Sequence, residues 1–181
     1  GPSIRYEPVF AEIRLAREAD DPSLPLGEWE RPLKKSDWGQ VAHLCCEVLE
    51  TQSKDLQIAS WLVEAWTQLH GLDGLIAGTT LLCDLLEVYW DTLHPELDAD
   101  DPEPRIAPLV WLNENLPLTL RLHVAVLHWP ERKPPIISLD NWTQTLTVSP
   151  EETDEDEDAP DESRLPTREA MLRHAAGPAH S

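Results

Sequence analysis

Between Ser36 and Pro95 apolar residues recur at three- and four-residue intervals in three successive stretches, and an Asp opens each one, at positions 37, 55 and 73. That period is the stripe of an amphipathic helix, and an Asp at its head suits the positive end of the helix. The first stretch carries Trp38, Val41, Ala42, Cys45, Val48 and Leu49 on one side, with Ser36 as its predicted N-cap. The second runs from about Lys54 to His70, with Ile58, Trp61, Leu62, Ala65, Trp66 and Leu69 in register, capped by Ser53 and stopped by Gly71. The third, about Asp73 to Leu93, spreads Leu75, Ile76, Leu81, Leu82, Leu85, Leu86, Tyr89 and Trp90 over more than one face, and Pro95 ends it. It is therefore expected to be the central, most buried helix. Gly74 and Gly78 are poor helix formers, by up to about 1 kcal/mol each relative to Ala. One turn apart, they predict a close approach by a neighbouring helix.

Two more helical patterns flank these. Glu7–Ala19 places Phe10, Ile13 and Leu15 inward, and a region after Pro104 runs through Ile106, Leu109, Val110, Leu112 and Leu116. Pro117 is expected to break or kink that region before a continuation over Leu118–Leu127. Connections of a few residues make successive helices antiparallel neighbours. The reading is an all-α fold, an antiparallel helical bundle of about five to seven helices with an acidic flexible C-terminal tail. Past Trp129 the prolines at 130, 134 and 135 exclude a helix, and a small hairpin around Asp140-Asn141 is expected to pair Ile136–Leu139 with Leu146–Val148. The predicted organisation is a helical domain over 1–148, with its core at about 4–129 and a Pro-rich flap at 130–148. An acidic linker follows over 149–166, then the start of a further helical segment, cut short, over 167–181.

Charge narrows the function. Fourteen Lys and Arg stand against 34 Asp and Glu, for a formal net charge of −20. Nine acids lie between Glu151 and Glu162, and the span Asp55–Pro104 holds eleven acids and not one Lys or Arg. Such a surface repels phosphate, which argues against nucleic acid and anionic membranes and favours partners with basic patches. Three Cys, two of them adjacent, do not make a disulfide framework and fit a reducing compartment. No apolar run reaches the roughly 20 residues of a membrane span.

Specific chemistry fails on geometry. His43, Cys45 and Cys46 lie within one helix, where successive positions differ by about 100°, so both thiols cannot meet one ion with the imidazole. Cys45 belongs to the apolar stripe and is read as a small buried hydrophobe. Asp98-Ala99-Asp100-Asp101 resembles the opening of a calcium loop, but Pro102 and Glu103 stand where a third oxygen ligand and a Gly are needed, which leaves a solvated acidic loop. There is no G-x-S-x-G and no Gly-rich phosphate loop, and His94 before Pro95 is read as a cap on a helix C-terminal dipole. The expectation is no enzyme, no cofactor and no metal. What remains is an interaction surface. Gly27, Glu28, Trp29, Glu30 and Arg31 sit in a proline-studded loop where the Trp either plugs the core or anchors a partner. Arg121, His123, His128, Arg132 and Lys133 form a mildly basic cluster around Trp129, read as a solvated face. Trp38, Trp61, Trp66 and Trp90 are assigned to core packing, each stabilising by about 1.5–3 kcal/mol or more on burial.

An ordered run of motifs carries a resemblance. Ile4-Arg5-Tyr6-Glu7-Pro8, Asp21-Pro22-Ser23-Leu24-Pro25, Gly27-Glu28-Trp29-Glu30 and Lys35-Ser36-Asp37-Trp38 come first. Ser53-Lys54-Asp55-Leu56, Trp61-Leu62, His70-Gly71-Leu72, Tyr89-Trp90-Asp91-Thr92-Leu93-His94-Pro95, and Arg105 with Leu109–Leu112 follow. Over roughly residues 4 to 129 the chain resembles the ImpA-type N-terminal domain of the TssA family of type VI secretion proteins, with Glu7 where an Asp is more usual. The resemblance implies a cytoplasmic component of a contractile apparatus in a Gram-negative bacterium, contacting sheath, tube or baseplate proteins. It also implies oligomerisation through a C-terminal region absent from this chain. Arg5, Trp38, Lys54, Asp55, Trp61, Trp90, His94 and Pro95 are then structural residues of the family motif. The alternatives are a sheath-capping stopper or a self-associating helical scaffold, the latter prompted by helix pairs approaching the roughly 34–47 residues of known helical repeats.

Overall fold

The computed structural model describes residues 1–20, 33–98, 100–133, 135–147 and 165–177. The loop holding Gly27, Glu28, Trp29, Glu30 and Arg31, and nearly all of the acidic stretch, lie outside the described residues. The elements in order are α1 (Pro8–Arg17), α2 (Trp38–Thr51), α3 (Leu56–Tyr89), α4 (Glu103–Leu122), β1 (Ala125–His128), β2 (Ile136–Ser138), α5 (Leu139–Thr147) and α6 (Arg168–Ala176). The fold is all-α apart from one two-stranded sheet, with six helices among the described residues. By contacts the chain divides into two compact units, Gly1–Leu116 and Pro117–Ser181.

In the first unit α1, α2 and α3 pack in sequence order around Ile13, Val41, Cys45, Val48, Leu56, Ile58, Leu62 and Val63, all essentially buried. The heads of α2 and α3 are capped by Asp37 and Asp55 rather than by the expected Ser36 and Ser53. Asp37 accepts from the Gln40 N–H at 2.9 Å, while the Ser36 hydroxyl donates instead to the Arg17 carbonyl at 2.7 Å. Asp55 accepts from Gln57 and Ile58, and among the described residues the buried Ser53 hydroxyl has no hydrogen-bond partner. A carboxylate satisfies the orphan N–H groups of a helix start and also meets the dipole, so it outcompetes a hydroxyl one or two residues earlier.

Gly71 interrupts α3 at φ 60°, ψ −133°, a conformation that Gly adopts without strain. The helix therefore folds into two arms, 56–70 and 72–89, and the second returns along the first. A Cβ on Gly74 would meet the Trp66 carbonyl oxygen at 1.9 Å, and one on Gly78 would meet Val63 Cα at 2.9 Å. The close approach expected from these glycines is thus made by the other arm of the same hairpin.

The burial order is the reverse of the expected one. The 56–70 arm is the central one, while the 72–89 arm leaves Leu72, Ile76, Val88 and Tyr89 exposed, followed by Trp90 at 47% exposure. Trp61 is buried, Trp38 and Trp66 pack half-buried against the core, and Trp90 does not belong to it. In α1, Leu15 faces solvent and Ala16 points inward, because α2 covers the Ile13–Ala16 side. Cys45 is buried and His43 exposed, as their 200° separation on α2 requires. Burial pushes the Cys45 thiol well up.

Two of the eleven acids between 55 and 104 are internal. Besides Asp55, Glu64 lies in the core and pairs with Arg17 at 2.7 Å. The Arg17 guanidinium sits between two indoles, 5.1 Å from the Trp61 ring and 4.7 Å from that of Trp111. Burial raises the Glu64 carboxyl above the usual carboxylate range, and Arg17 only partly opposes this. The folded chain then binds that proton more readily than the unfolded chain. This contribution to stability is present at low pH and is lost as pH rises through the folded-state value. Glu64→Gln keeps an acceptor for Arg17 and removes the titration. Urea melts at about pH 7, 6 and 5 are expected to show wild type gaining on Glu64→Gln as pH falls; a gap moving the other way contradicts the assignment.

The second unit departs further from expectation. α4 continues through Pro117 to Leu122 without a break, and residues 125–128, expected in the helical continuation, are strand. The hairpin pairs β1 with β2, with Leu127 opposite Ile137 and His128 opposite Ile136. Its closing bond runs from the Trp129 N–H to the Pro135 carbonyl, 2.8 Å. Asp140-Asn141, expected in a turn, instead open α5, where the Asn141 side-chain oxygen accepts from the Ser138 N–H. Alternating Val-Leu and Ile-Ile segments satisfy their backbone across the short proline loop, and this leaves residues 139–147 free to be helical. Arg121 of the basic cluster pairs with Asp140 at 2.8 Å. α6 packs against α5, burying Met171, and stacks His174 on Trp129 with ring centroids 4.3 Å apart.

Candidate functional site

The segment 90–95, which links α3 to the approach of α4, is held by main-chain and side-chain bonds from distant positions. The Leu56 N–H donates to the His94 carbonyl at 2.8 Å, and the His94 N–H donates to the Lys54 carbonyl at 2.9 Å. Together they form a short parallel bridge between residues 55 and 94. Arg105, buried in the first turns of α4, donates to the carbonyls of Trp90 (2.8 Å), Leu93 (2.9 Å) and Pro95. Its guanidinium also lies 5.2 Å from the Trp90 ring. The Lys54 ammonium donates to the Leu49 carbonyl and lies 5.5 Å from the Tyr89 ring. Leu93 is driven fully into the core between these anchors.

His94 is not a helix cap. α3 ends at Tyr89, five residues earlier, and the buried His94 ring nitrogen faces the Gly1 carbonyl at 2.8 Å. Beside it Asp55 is buried, and burial raises its carboxyl pKa. The Ile58 and Gln57 amides, His94 and Arg5 act in the opposite direction.

These elements wall a groove of about 710 Å³. Its apolar surface comes from Phe10, Pro95, Pro104, Ala107 and Pro108, and its acids are Asp55, Glu96, Asp101 and Glu103. Among the described residues Arg5 is the one Lys or Arg in the lining, and Tyr6, also in the lining, is 94% exposed. Asp101 also accepts from the Glu103 N–H at the head of α4, so the rim carboxylates are placed by helix geometry. The three exposed carboxylates, Glu96, Asp101 and Glu103, beside an apolar lining suit a segment that carries a Lys or Arg next to an apolar anchor.

Of the sequence-predicted residues, Arg5, Asp55, His94 and Pro95 line this groove, and Lys54 and Trp90 brace the segment behind it. Trp38 and Trp61 lie in the packing of α2 and α3 and do not line the groove, though Trp61 packs on Phe10 of the lining with ring centroids 4.7 Å apart. The calcium-like loop is bound up in its own turns, with Asp98 accepting from the Asp100 N–H at 2.9 Å. Among the described residues no group of three His, Cys, Asp or Glu is placed to hold a metal ion, and no helix is long and apolar enough to cross a membrane. Tyr6, Glu96, Asp101 and Glu103 lack a local sequence pattern that marks them as lining one groove. Arg105 does carry a signal, as the first cation after fifty residues without one.

Comparison with known proteins agrees with the motif reading. The family model for the ImpA N-terminal region of the type VI secretion system matches residues 1–114. The type VI secretion system component TssA1 of Pseudomonas aeruginosa is 36% identical over 101 residues, covering 56% of this chain and 29% of that protein. The solved N-terminal domain of the TssA component from Burkholderia cenocepacia, which includes the conserved ImpA N-terminal region, superposes with a TM-score of 0.70 at 28% identity. That match covers 96% of this chain and 63% of the solved one. The chain thus spans under a third of the curated relative it matches. With a family model covering well over half its length, this chain belongs to the ImpA N-terminal family of the type VI secretion system.

Proposed function

We propose that this chain is a non-catalytic docking domain of a TssA-like protein. It acts in the cytoplasm, holding sheath, tube or baseplate components while the contractile apparatus assembles. The observation that carries the reading is the groove. Its wall is built by backbone bonds and the Arg105 fork, its rim is acidic, and the His94 ring is engaged with a backbone carbonyl rather than with a nucleophile. A pre-organised wall lowers the ordering entropy of binding, which suits recognition of a basic, apolar-anchored segment. The segment Gly27, Glu28, Trp29, Glu30 and Arg31 is a second proposed contact, and the acidic run over 149–166 is a proposed linker.

The test is titration of the 181-residue chain against purified sheath, tube and baseplate subunits of the same system. Tyr6→Ala and Glu96→Lys serve as groove variants, since both side chains are exposed and neither caps a helix. One subunit is expected to bind, with an affinity loss of about tenfold or more in the charge-reversed variant. Binding by no subunit ends the docking reading. Binding that both variants leave unchanged ends the assignment to the groove.

A further inference from the structure

The returning arm of α3 has a second surface that the groove does not use. Leu72, Ile76, Cys83 and Trp90 are offset by 4, 11 and 18 residues, so at 100° per residue they fall within about 40° of one another. All four are exposed, Leu72 at 58% and Ile76 at 63%. Asp73, Asp84, Glu87 and Asp91 run along one edge of this stripe, about 60–120° round the helix and also exposed. The opposite edge turns into the core through Leu82 and Leu85. The result is an apolar seam with an acid border on one side and no Lys or Arg between positions 55 and 104.

Charge selects the occupant. An antiparallel pairing with a second copy sets acid edge against acid edge, and a parallel pairing leaves both acid edges without a counter-charge. The acidic run 151–162 of this chain is repelled in the same way, as is an anionic lipid surface. We propose that the 72–91 seam is a docking site for an amphipathic helix of another protein. That helix presents apolar residues at i, i+4, i+7 and Lys or Arg along one flank, the helix-in-groove mode of recognition with an electrostatic register. The proposal stands apart from the groove, since none of the seam residues lines it.

The probes are two designed peptides with the same Leu stripe, one flanked by Lys and one by Glu, titrated into the 15N-labelled 181-residue chain. The Lys-flanked peptide is expected to bind about tenfold tighter or more, with amide shifts concentrated on residues 72–91 and alkylation of Cys83 slowed. Ile76→Glu is expected to abolish that binding, with circular dichroism confirming the fold, and Asp84→Lys with Glu87→Lys to reverse the preference between the peptides. Shifts centred on residues 96–103, or binding indifferent to Ile76→Glu, overturn the proposal in favour of charge attraction alone. A dimer in sedimentation that Ile76→Glu dissociates overturns it in favour of self-association.

Discussion

Gly74→Ala is expected to destabilise the first unit by about 3 kcal/mol or more, the upper end of what overpacking a tight contact does. The added methyl meets a backbone oxygen, that of Trp66, at 1.9 Å, so no rotamer change relieves it. Relief requires the two arms of α3 to separate, which uncovers Ala59, Leu62 and Val63 along the central arm. Helix propensity alone predicts the opposite, since Ala is better than Gly by about 1 kcal/mol. Gly39→Ala is the control. It lies in the first turn of α2, where the nearest atom to a new Cβ is Asp37 Oδ1 at 3.4 Å, and a gain of about 0.5–1 kcal/mol is expected. Urea denaturation of both variants measures the contrast, and an equal response removes the close-packed hairpin from the account.

Arg105→Met is the second large effect, expected to reduce stability by about 3–5 kcal/mol. The methionine replaces the aliphatic stem but withdraws donors from three carbonyls, those of Trp90, Leu93 and Pro95. These carbonyls belong to a segment outside regular helix, so few other donors are at hand. Arg105→Lys is expected to recover only part of the loss, because one ammonium cannot reproduce the planar fork. Hydrogen exchange gives the local readout. In Arg105→Lys the His94 N–H, which bonds to the Lys54 carbonyl, is expected to exchange faster than amides in α2. Protection unchanged at His94 would show that the bridge to residue 55 holds the segment without Arg105.

The two effects differ in how legible they were. Gly74 and Gly78 stand one turn apart in a helical pattern just past a terminating Gly, which is sufficient to expect a close approach. Arg105 is visible as an isolated cation, yet its partners are backbone atoms 10 to 15 residues earlier, and backbone atoms leave no mark in a sequence. The hairpin was misplaced for a related reason. Ile136–Ser138 was recognisable as extended, but its partner lay upstream at 125–128, inside a run that also fits a helical period. Short apolar runs are ambiguous between the two periods until a partner strand is known.

Sequence alone determined the helical class, the stop at Gly71, the inward thiol of Cys45 and the membership of the ImpA N-terminal family. All of these rest on local period, single-residue backbone preference or an ordered run of motifs. Tertiary structure alone decided that the 56–70 arm is the central one and that Trp90 leaves the core for the surface. It also brought Arg5, Asp55, His94 and the head of α4 to one acid-rimmed groove. The physical reason is that a 3.6-residue period defines which side of a helix is apolar but not whether a neighbour covers it. Coverage depends on how many helices reach that side. Here the reversal at Gly71 lays the 72–89 arm along the 56–70 arm, so one apolar face was buried and the other left facing solvent.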